Sequence, residues 1–287
     1  MERFYRLAGT VIRVTGPDGQ MDCEDSSLKR YECPAQEWNH WLEFFIVEQV
    51  SPPEGEQVYA ETSKRIYRCE DTHIRYEGTV SSSLDNAYIR IARQGNHSRV
   101  EVASRFLAGF ITAKLVLNSM EAEHLIVQKR GVLLHASCIR WKDKAILFTA
   151  PSGTGKSTQA DLWCRLRGAE LINGDRAAVM VEDGIVVRGI PFCGSSGVCK
   201  NVDLPLAAVV YLSQAPQTSI ERLSGVHAFR RIWEGCSVNV WNREDMAACT
   251  QTVSDILAAV PVFHLRCTPD ESAVICLEQI LDKRPDI

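Results

Sequence analysis

The stretch 150–158 carries residue types and a spacing suited to binding phosphate. It reads APSGTGKST, follows the apolar run 145–149, and runs into a segment, 158–167, with apolar residues at helical spacing. This order of strand, glycine-containing loop and helix is the context that a P-loop requires. Backbone N–H groups of such a loop and the N-terminal end of the helix attract an anion. The motif therefore predicts a site for the phosphates of a nucleoside triphosphate.

The P-loop pattern gives each residue of the motif a role. Contacts with the nucleotide are expected from Ser152, Gly153, Thr154, Gly155, Lys156, Ser157 and Thr158. Lys156 would contact the β and γ phosphates, and the hydroxyl of Ser157 would bind Mg²⁺. Ala150 stands where the pattern has glycine, and the turn still forms if Gly153 and Gly155 take the left-handed conformations. The alternative is a turn before an ordinary amphipathic helix.

A carboxylate follows the next predicted strand. Gly168 marks the end of the helix, residues 169–173 (AELIN) form a short strand, and Asp175 comes soon after it. If the crossover is right-handed and the strands run parallel, both strands end at the same edge of the sheet. Asp175 would then face the phosphates, where a carboxylate binds Mg²⁺ or accepts the proton of an attacking hydroxyl. The alternative is a turn-capping aspartate paired with Arg176.

Four segments in this order resemble the kinase domain of HPr kinase/phosphorylase and its relatives, which share the phosphoenolpyruvate-carboxykinase fold. They are HAS at 135–137, APSGTGKST at 150–158, LINGDR at 171–176 and GIPFCGSSG at 189–197. The resemblance covers about residues 125–281 and implies an α/β fold with a mixed-sheet P-loop core. It also implies a kinase that uses ATP and Mg²⁺.

The resemblance assigns catalytic and metal-binding residues as well. His135 matches the family's histidine on the strand before the hairpin, and Lys156 matches its Walker lysine. Asp175 stands where the bacterial regulator has two adjacent aspartates, since residue 174 is glycine. We expect His135, Lys156 and Asp175 to be catalytic, and Asp175 to bind Mg²⁺ together with Ser157. With one acid missing, either Asp175 is both metal ligand and base, or His135 assists it.

Residues beyond this group are candidates for contact with the acceptor or a phosphate. The segment 188–197 has glycines and hydroxyls, and an arginine at its start that can stabilise transition-state charge. The candidates are Arg176, Arg188, Ser195 and Ser196. The alternative for this segment is an irregular surface turn.

The rest of the chain is expected to add a second region. Residues 1–104 are predicted as a β-rich accessory or substrate-recognition region, because β-prone runs alternate with turn clusters. Residues 105–287 are predicted as the P-loop domain, led by a helix from about 105 to 128 with Phe110 on its apolar stripe. Further helices are predicted at 245–259 and 271–283.

Composition excludes several classes of partner. The chain of 287 residues has a net charge of -4, whereas a nucleic-acid binder needs a basic face. It has no long apolar run and no apolar core near its first residue, so we expect a cytoplasmic protein with no membrane partner. The 11 cysteines are odd in number and irregularly spaced, so we expect mostly small core residues rather than disulfides or a zinc site.

The sequence thus predicts a kinase that moves the γ-phosphoryl group of ATP to a hydroxyl of a peptide, a protein serine or a small alcohol. The peptide acceptor comes from the resemblance alone, and HPr itself is not expected because the family's glycine-rich signature for HPr is not recognisable. Another candidate is an ATP-binding sensor without turnover, suggested by Ala150 and Gly174. A carboxykinase-like enzyme is a weaker one. Reverse phosphorolysis and a homo-oligomer stay open.

Overall fold

The computed structural model describes residues 1–24, 26–78, 87–107 and 111–283. Contacts divide the chain into two compact units, Met1–Glu121 and Ala122–Ile287. Within the described ranges the structure is mixed α/β, with several sheets and few helices. None of the helices in these ranges combines the length and the apolar character needed to cross a bilayer. The sequence-based division at residue 104 stays a prediction.

The first unit is dominated by strands. Their bounds are β1 (Glu2–Leu7), β2 (Thr10–Thr15), β3 (Met21–Asp22), β4 (Glu32–Cys33), β5 (His40–Val47), β6 (Glu56–Ala60), β7 (Lys64–Cys69), β8 (Thr72–Gly78), β9 (Ala87–Gln94), β10 (His97–Ala103) and β11 (Ile111–Thr112). In the described residues, nine of them form one sheet in the order β4-β1-β2-β5-β10-β9-β8-β7-β6. β5 pairs in parallel with β2 and β10, and the other pairings in this sheet are antiparallel.

The single helix expected from about 105 to 128 is wrong. The described residues contain a 3₁₀ turn at Ser104–Phe106, then β11, α1 (Ala113–Ser119) and α2 (Ala122–Val127). Phe110 lies outside the described residues. The helix is broken at Glu121, whose φ of 46° is left-handed. The buried Glu121 carboxylate accepts a hydrogen bond from Arg93 at 3.0 Å, and a buried charge keeps such a partner at the expense of local helix propensity.

The second unit alternates strands and helices. Its remaining elements are β12 (Gly131–Trp141), β13 (Lys144–Thr149), α3 (Lys156–Arg167), β14 (Glu170–Asn173), β15 (Arg176–Glu182), β16 (Gly184–Arg188), β17 (Asp203–Gln214), β18 (Ser219–Leu223), α4 (Gly225–Trp233), β19 (Cys236–Ser237), α5 (Arg243–Ala259), β20 (Val262–Cys267) and α6 (Glu271–Leu281). The sheet order among described residues is β13-β12-β15-β16-β17-β20-β18. β14 and β19 also pair with β12, and β13 also pairs with β17.

The long strand β12 positions the elements of the predicted site. It forms a hairpin with β13 through Lys142 and Asp143, whose φ values of 48° and 58° fit the left-handed turn that such hairpins prefer. β12 also pairs antiparallel with β14, and Cys138 has one partner in each of these strands. β13 and β14 therefore run in the same direction with β12 between them. Their carboxyl ends reach the same edge, as the sequence predicts.

Two apolar layers cover the sheet of the second unit. Alternate residues of β13 face opposite sides, because Leu147 belongs to one core cluster and Phe148 to the other. The first cluster includes residues of α4 and α5, and the second includes residues of α3 and α6. The strands are thus buried on both faces, which leaves their carboxyl ends as the edge where polar side chains collect.

The expectation that the cysteines form no disulfide is wrong at one position. Cys193 and Cys199 are joined, because the 3₁₀ turn Gly194–Ser196 and the left-handed Gly197 reverse the chain between them. The other nine cysteines are free, and three of these are buried, namely Cys23, Cys138 and Cys249. The remaining free thiols are half-buried, so the expected role as small core residues fits only part of the set.

Candidate functional site

The loop 150–155 joins β13 to α3. Gly153 and Gly155 have φ values of 78° and 118°, and a Cβ at either position would meet no atom within 4 Å. Backbone conformation, rather than lack of space, therefore requires glycine there. Ala150 is buried in the core cluster that contains α3 and is not left-handed. The turn thus accommodates alanine at the position where the P-loop pattern has glycine, as expected.

Lys156 begins α3 and is buried, with 7% of its surface exposed. Its Nζ donates hydrogen bonds to the carbonyl oxygens of Ala150 at 3.0 Å and Pro151 at 3.4 Å. Burial lowers the pKa of this ammonium group, while the charge of Asp175 acts in the opposite direction. Gly155 at the N-cap supplies no side-chain acceptor, so no side-chain cap competes with an anion for the first amides of α3.

His135 and Asp175 meet at the end of β14. The Nδ1 atom of His135 lies 3.5 Å from Oδ1 of Asp175, and the two side chains are 38% and 30% exposed. Burial and the positive charge of Lys156 lower the pKa of His135, although Asp175 acts to raise it. The imidazole is therefore neutral near neutral pH. Two of the residues that the sequence predicts as catalytic thus lie side by side at one edge of the sheet, and the charge of the third, Lys156, acts on the pKa of His135.

Hydrogen bonds from neighbouring strands fix the backbone of Asp175. The side-chain oxygen of Asn173 accepts from the backbone N–H groups of Asp175 at 2.9 Å and Arg176 at 3.1 Å. The amide of Asn173 donates to the carbonyl of Ile190 at 3.2 Å. Ser137 donates to the carbonyl of residue 174 at 3.1 Å. The sequence alone gave neither Asn173 nor Ser137 a role, although an asparagine side chain that bonds the backbone two residues on is a known feature of turns.

The loop between the two disulfide-bonded cysteines packs against Asp175. A Cβ on Gly194 would lie 2.5 Å from the Cβ of Asp175, and a Cβ on Gly174 would overlap Oγ of Ser196. Ser196 Oγ donates to the carbonyl of Cys193 at 2.8 Å and accepts from the N–H of residue 198 at 3.1 Å. Ser196 therefore closes its own loop, whereas Ser195 is exposed. The two glycines allow the loop to approach the carboxylate closely.

The structure separates the two candidate arginines. Arg176 lies beside Asp175, with Nε 3.5 Å from its Oδ2. Arg188 instead donates two hydrogen bonds of 2.9 Å to Glu182 and lies 3.4 Å from a carboxylate oxygen of Asp203. The hydrogen bond to Glu182 raises the pKa of Arg188. Arg176 thus belongs to the group around Asp175, and Arg188 is paired with carboxylates on its own hairpin and on β17.

Two cavities open beside the loop 150–155. The larger has a volume of about 610 Å³ and is lined by Gly153, Thr154, Gly155, Thr158, Gln159, Leu212, Gln214, Ala215, Pro216, Cys267, Thr268 and Pro269. The smaller has about 400 Å³ and is lined by residues 151–154 and 211–214. Sequence reasoning missed the walls that β17 and β20 provide, because these strands are far from the motif along the chain.

The donor set near Lys156 fits a hard divalent cation. Ser157 offers an exposed hydroxyl in the first turn of α3, and Asp175 offers a carboxylate. Within the described ranges, no three His, Cys, Asp or Glu residues form a cluster that could hold a metal ion. Mg²⁺ takes oxygen ligands and commonly uses one or two protein groups together with substrate phosphates. Ser157 and Asp175 therefore suit Mg²⁺ bound with a nucleotide better than a metal held by protein alone.

Similarity to known proteins is found among solved structures. No family model matches the chain, and no curated protein matches it. Among solved structures, the chain is similar to the Hpr(Ser) kinase/phosphatase from Coxiella burnetii, with 12% identity and a TM-score of 0.30. The match covers 53% of this chain and 88% of that one. A similarity of this size says nothing about individual residues, so the site is interpreted from its own geometry.

Proposed function

We propose that this protein is an ATP-dependent kinase that transfers the γ-phosphoryl group to a hydroxyl. The proposal is supported by one observation above all: His135 and Asp175 lie 3.5 Å apart at the sheet edge where the loop 150–155 leads into α3, within the electrostatic influence of the Lys156 charge. A buried cation, a neutral imidazole and an accessible carboxylate are the groups that bind phosphate and accept a proton. The acceptor class is a peptide or protein serine or a small alcohol.

The loop and the start of α3 bind the phosphates in this proposal. Backbone amides of the loop and of the first turn of α3 surround the phosphate oxygens, and the N–H of Thr154 gives up its bond to the carbonyl of Pro151. Lys156 exchanges its bonds to the carbonyls of Ala150 and Pro151 for bonds to the β and γ phosphates. The partial burial of its ammonium group strengthens that attraction, because the local dielectric constant is lower than in water.

Ser157 and Asp175 hold Mg²⁺ in this proposal. The ion, when bound with the nucleotide, neutralises charge on the transferring group. Arg176 lies beside Asp175 and stabilises negative charge on the same side. Because Gly174 leaves one acid here, Asp175 also orients the acceptor hydroxyl, and the neutral His135 accepts the proton of that hydroxyl through the ring nitrogen that does not face Asp175.

The acceptor is proposed to contact the loop 193–197. This loop packs against Asp175, and the exposed hydroxyl of Ser195 is available to the acceptor, with Ser196 shaping the turn. Arg188 stays a candidate from the sequence, and its pairing with Glu182 and Asp203 makes it the weakest of the set. Residues 1–104 are proposed to recognise the substrate.

A second candidate, an ATP-binding sensor without turnover, is favoured by two details. Lys156 is tied to carbonyl oxygens of its own loop, and Gly174 leaves Asp175 without a second acid. Such a protein would bind ATP through the same loop and transfer nothing. The two candidates therefore differ in one measurable step.

That step is the transfer of label from γ-labelled ATP in the presence of Mg²⁺. The wild-type chain is incubated with a pool of serine-containing peptides and small alcohols, and products are sought by a one-phosphoryl mass gain. Lys156→Ala is expected to lower transfer about a hundredfold or more, because it removes a charge that contacts the transferring group. Lys142→Ala is the matched control, since Lys142 is half-exposed and pairs with Asp282.

The outcomes separate the candidates. Transfer by the wild-type protein and by Lys142→Ala, with loss in Lys156→Ala, supports the kinase. Binding of ATP without any labelled acceptor supports the sensor instead. A wild-type chain that does not bind ATP with Mg²⁺ contradicts both.

A further inference from the structure

Ser213, His264 and Glu221 form a second polar group near the loop 150–155. Ser213 Oγ and Nε2 of His264 are 2.8 Å apart, and Nδ1 of His264 lies 3.5 Å from Oε1 of Glu221. The three residues come from β17, β20 and β18, and the antiparallel register places Glu221 directly opposite His264. A hydroxyl, an imidazole and a carboxylate in this order are the arrangement that activates a nucleophile.

The surroundings favour a neutral imidazole that accepts the serine proton. The His264 side chain is 11% exposed and packs edge-on against Tyr211, with ring centroids 5.3 Å apart. Burial lowers the pKa of His264, and the charges of Arg266 and Arg231 lower it further while Glu221 opposes them. In the tautomer with its proton on Nδ1, the nitrogen nearer Glu221, the lone pair on Nε2 faces Ser213. Glu221 also pairs with Arg266 at 2.6 Å, which holds the carboxylate in place.

Ser213 lines a cavity together with the loop 150–155. The cavity of about 400 Å³ is lined on one side by Pro151, Ser152, Gly153 and Thr154 and on the other by residues 211–214. Its position follows from the topology, because β13 and β17 are parallel neighbours with Thr149 opposite Tyr211. The ends of both strands therefore open into the same space.

We propose that Ser213 is a phosphoryl acceptor within the chain itself and that His264 is its general base. The inference rests on the proposed function for its donor. A bond forms between Ser213 Oγ and the γ-phosphorus of ATP, and the bond from that phosphorus to the β–γ bridging oxygen breaks, so that ADP leaves with the electron pair. The Ser213 proton moves to Nε2 of His264. The products are ADP and phosphoserine at position 213.

The arrangement differs from the group around Asp175 in one respect. His135 and Asp175 are both partly exposed, whereas Ser213 Oγ already lies 2.8 Å from the ring nitrogen of its base. Phosphoserine at this position would place a dianion against residues 151–154 and next to His264 and Arg266. Phosphorylation would therefore add negative charge to a cavity that the phosphates of the nucleotide also border.

Two reagents test the proposal on the full-length chain. In the first arm, wild-type protein is incubated with γ-labelled ATP and Mg²⁺, and the modified residue is located by peptide mass mapping. In the second arm, diisopropyl fluorophosphate, which needs no nucleotide site, probes whether Ser213 is an activated nucleophile. The variants are Ser213→Ala, His264→Gln and, as the matched control, Ser219→Ala, an exposed serine on the adjoining strand.

We expect phosphate on Ser213 in the wild-type protein and in Ser219→Ala, none at this position in Ser213→Ala, and about a hundredfold slower modification in His264→Gln. ATP binding and cooperative thermal unfolding of His264→Gln confirm that this variant is folded, and Ser213→Thr, which keeps a hydroxyl, gives a second measurement.

A wild-type protein that binds ATP but leaves Ser213 unmodified overturns the inference and leaves the proposed function intact. If ATP does not bind, the proposed function fails. The acceptor role of Ser213 then fails as well, and the fluorophosphate arm decides only whether His264 activates Ser213: labelling that His264→Gln slows supports this activation, and lack of labelling overturns it.

Discussion

His135 and Asp175 form one histidine–aspartate pair in the second unit, and His124 and Asp245 form another. In the first pair the nearest nitrogen and oxygen are 3.5 Å apart and the side chains are 38% and 30% exposed. In the second pair that distance is 2.8 Å, and the side chains are 13% and 1% exposed. The same two residue types thus occupy an open site and a closed one.

The number of hydrogen bonds explains what each carboxylate does. Asp245 accepts from His124, from Gln128 at 3.1 Å and from Asn239 at 3.0 Å, so its oxygens are used inside the fold. Asp175 lies 3.5 Å from both His135 and Arg176, beyond the normal N–H···O range of about 2.7–3.2 Å. The lone pairs of Asp245 are used by hydrogen bonds that stabilise the fold. Those of Asp175 are not fully used within the protein and are available to a ligand.

The largest expected effect comes from Asp175→Asn. We expect transfer of the γ-phosphoryl group to fall about a hundredfold or more, because the amide neither binds Mg²⁺ as strongly nor accepts a proton. The free energy of unfolding should change by less than about 1 kcal/mol, because the charge is partly exposed and its contacts are long. Label transfer and urea unfolding measure the two quantities. Unchanged transfer in a folded Asp175→Asn protein would remove this residue from the proposed chemistry.

Asp245→Asn should show the opposite profile. We expect a loss of about 3 kcal/mol in the free energy of unfolding, because the amide keeps one acceptor oxygen and replaces the other with a donor, which opposes a donor of His124 or of the buried Asn239. Transfer by the folded fraction should stay at the wild-type level. Asp255→Asn is the control on the same helix. Its surface pair with Arg130 contributes less than about 1 kcal/mol. Equal stability of the two variants would show that Asp245 is not structural.

The elements of the open site were predictable because their signals are local. The apolar strand before residue 150, the glycines, the helical spacing after Lys156 and the stop at Gly168 all lie within a short segment, and the structure confirms these elements. The edge shared by β13 and β14 was predictable from the handedness of the crossover. The catalytic roles of His135 and Asp175 stay predictions.

The closed pair and the second polar group were not predictable from the sequence. Asp245 is 121 residues from His124 along the chain, and Ser213 is 51 residues from His264. Such partners are set by the packing of distant elements, for which spacing gives no signal. The interruption of the predicted helix at Glu121 also involves a partner from another element. The carboxylate of Glu121 accepts a hydrogen bond from Arg93, which lies on a strand earlier in the chain.

Gly174→Asp adds a second carboxylate directly before Asp175 and tests whether the open site can accommodate it. A side chain at this position would overlap Oγ of Ser196, and overpacking of this kind costs about 1–3 kcal/mol. We therefore expect a less stable protein with lower transfer. Ser196→Gly added to Gly174→Asp should restore part of the stability, as thermal unfolding can show. A stable Gly174→Asp protein with faster transfer would mean that the loop 193–197 does not constrain the site.

Acid pH is expected to give the smallest effect of this series, because it changes the pair of His124 and Asp245 through protonation alone. Burial raises the pKa of Asp245, but hydrogen bonds from His124 and Asn239 and the charge of His124 lower it more, so the net direction is downward. A folded pKa below the unfolded value of about 3.9 means that the carboxylate stabilises the protein above that pH. This contribution is lost as the pH falls through the folded pKa. The difference in unfolding free energy between the wild type and Asp245→Asn should therefore be largest near neutral pH and shrink in acid. A difference that stays constant across a urea-unfolding series in pH would show that the ionised carboxylate of Asp245 contributes nothing to the fold.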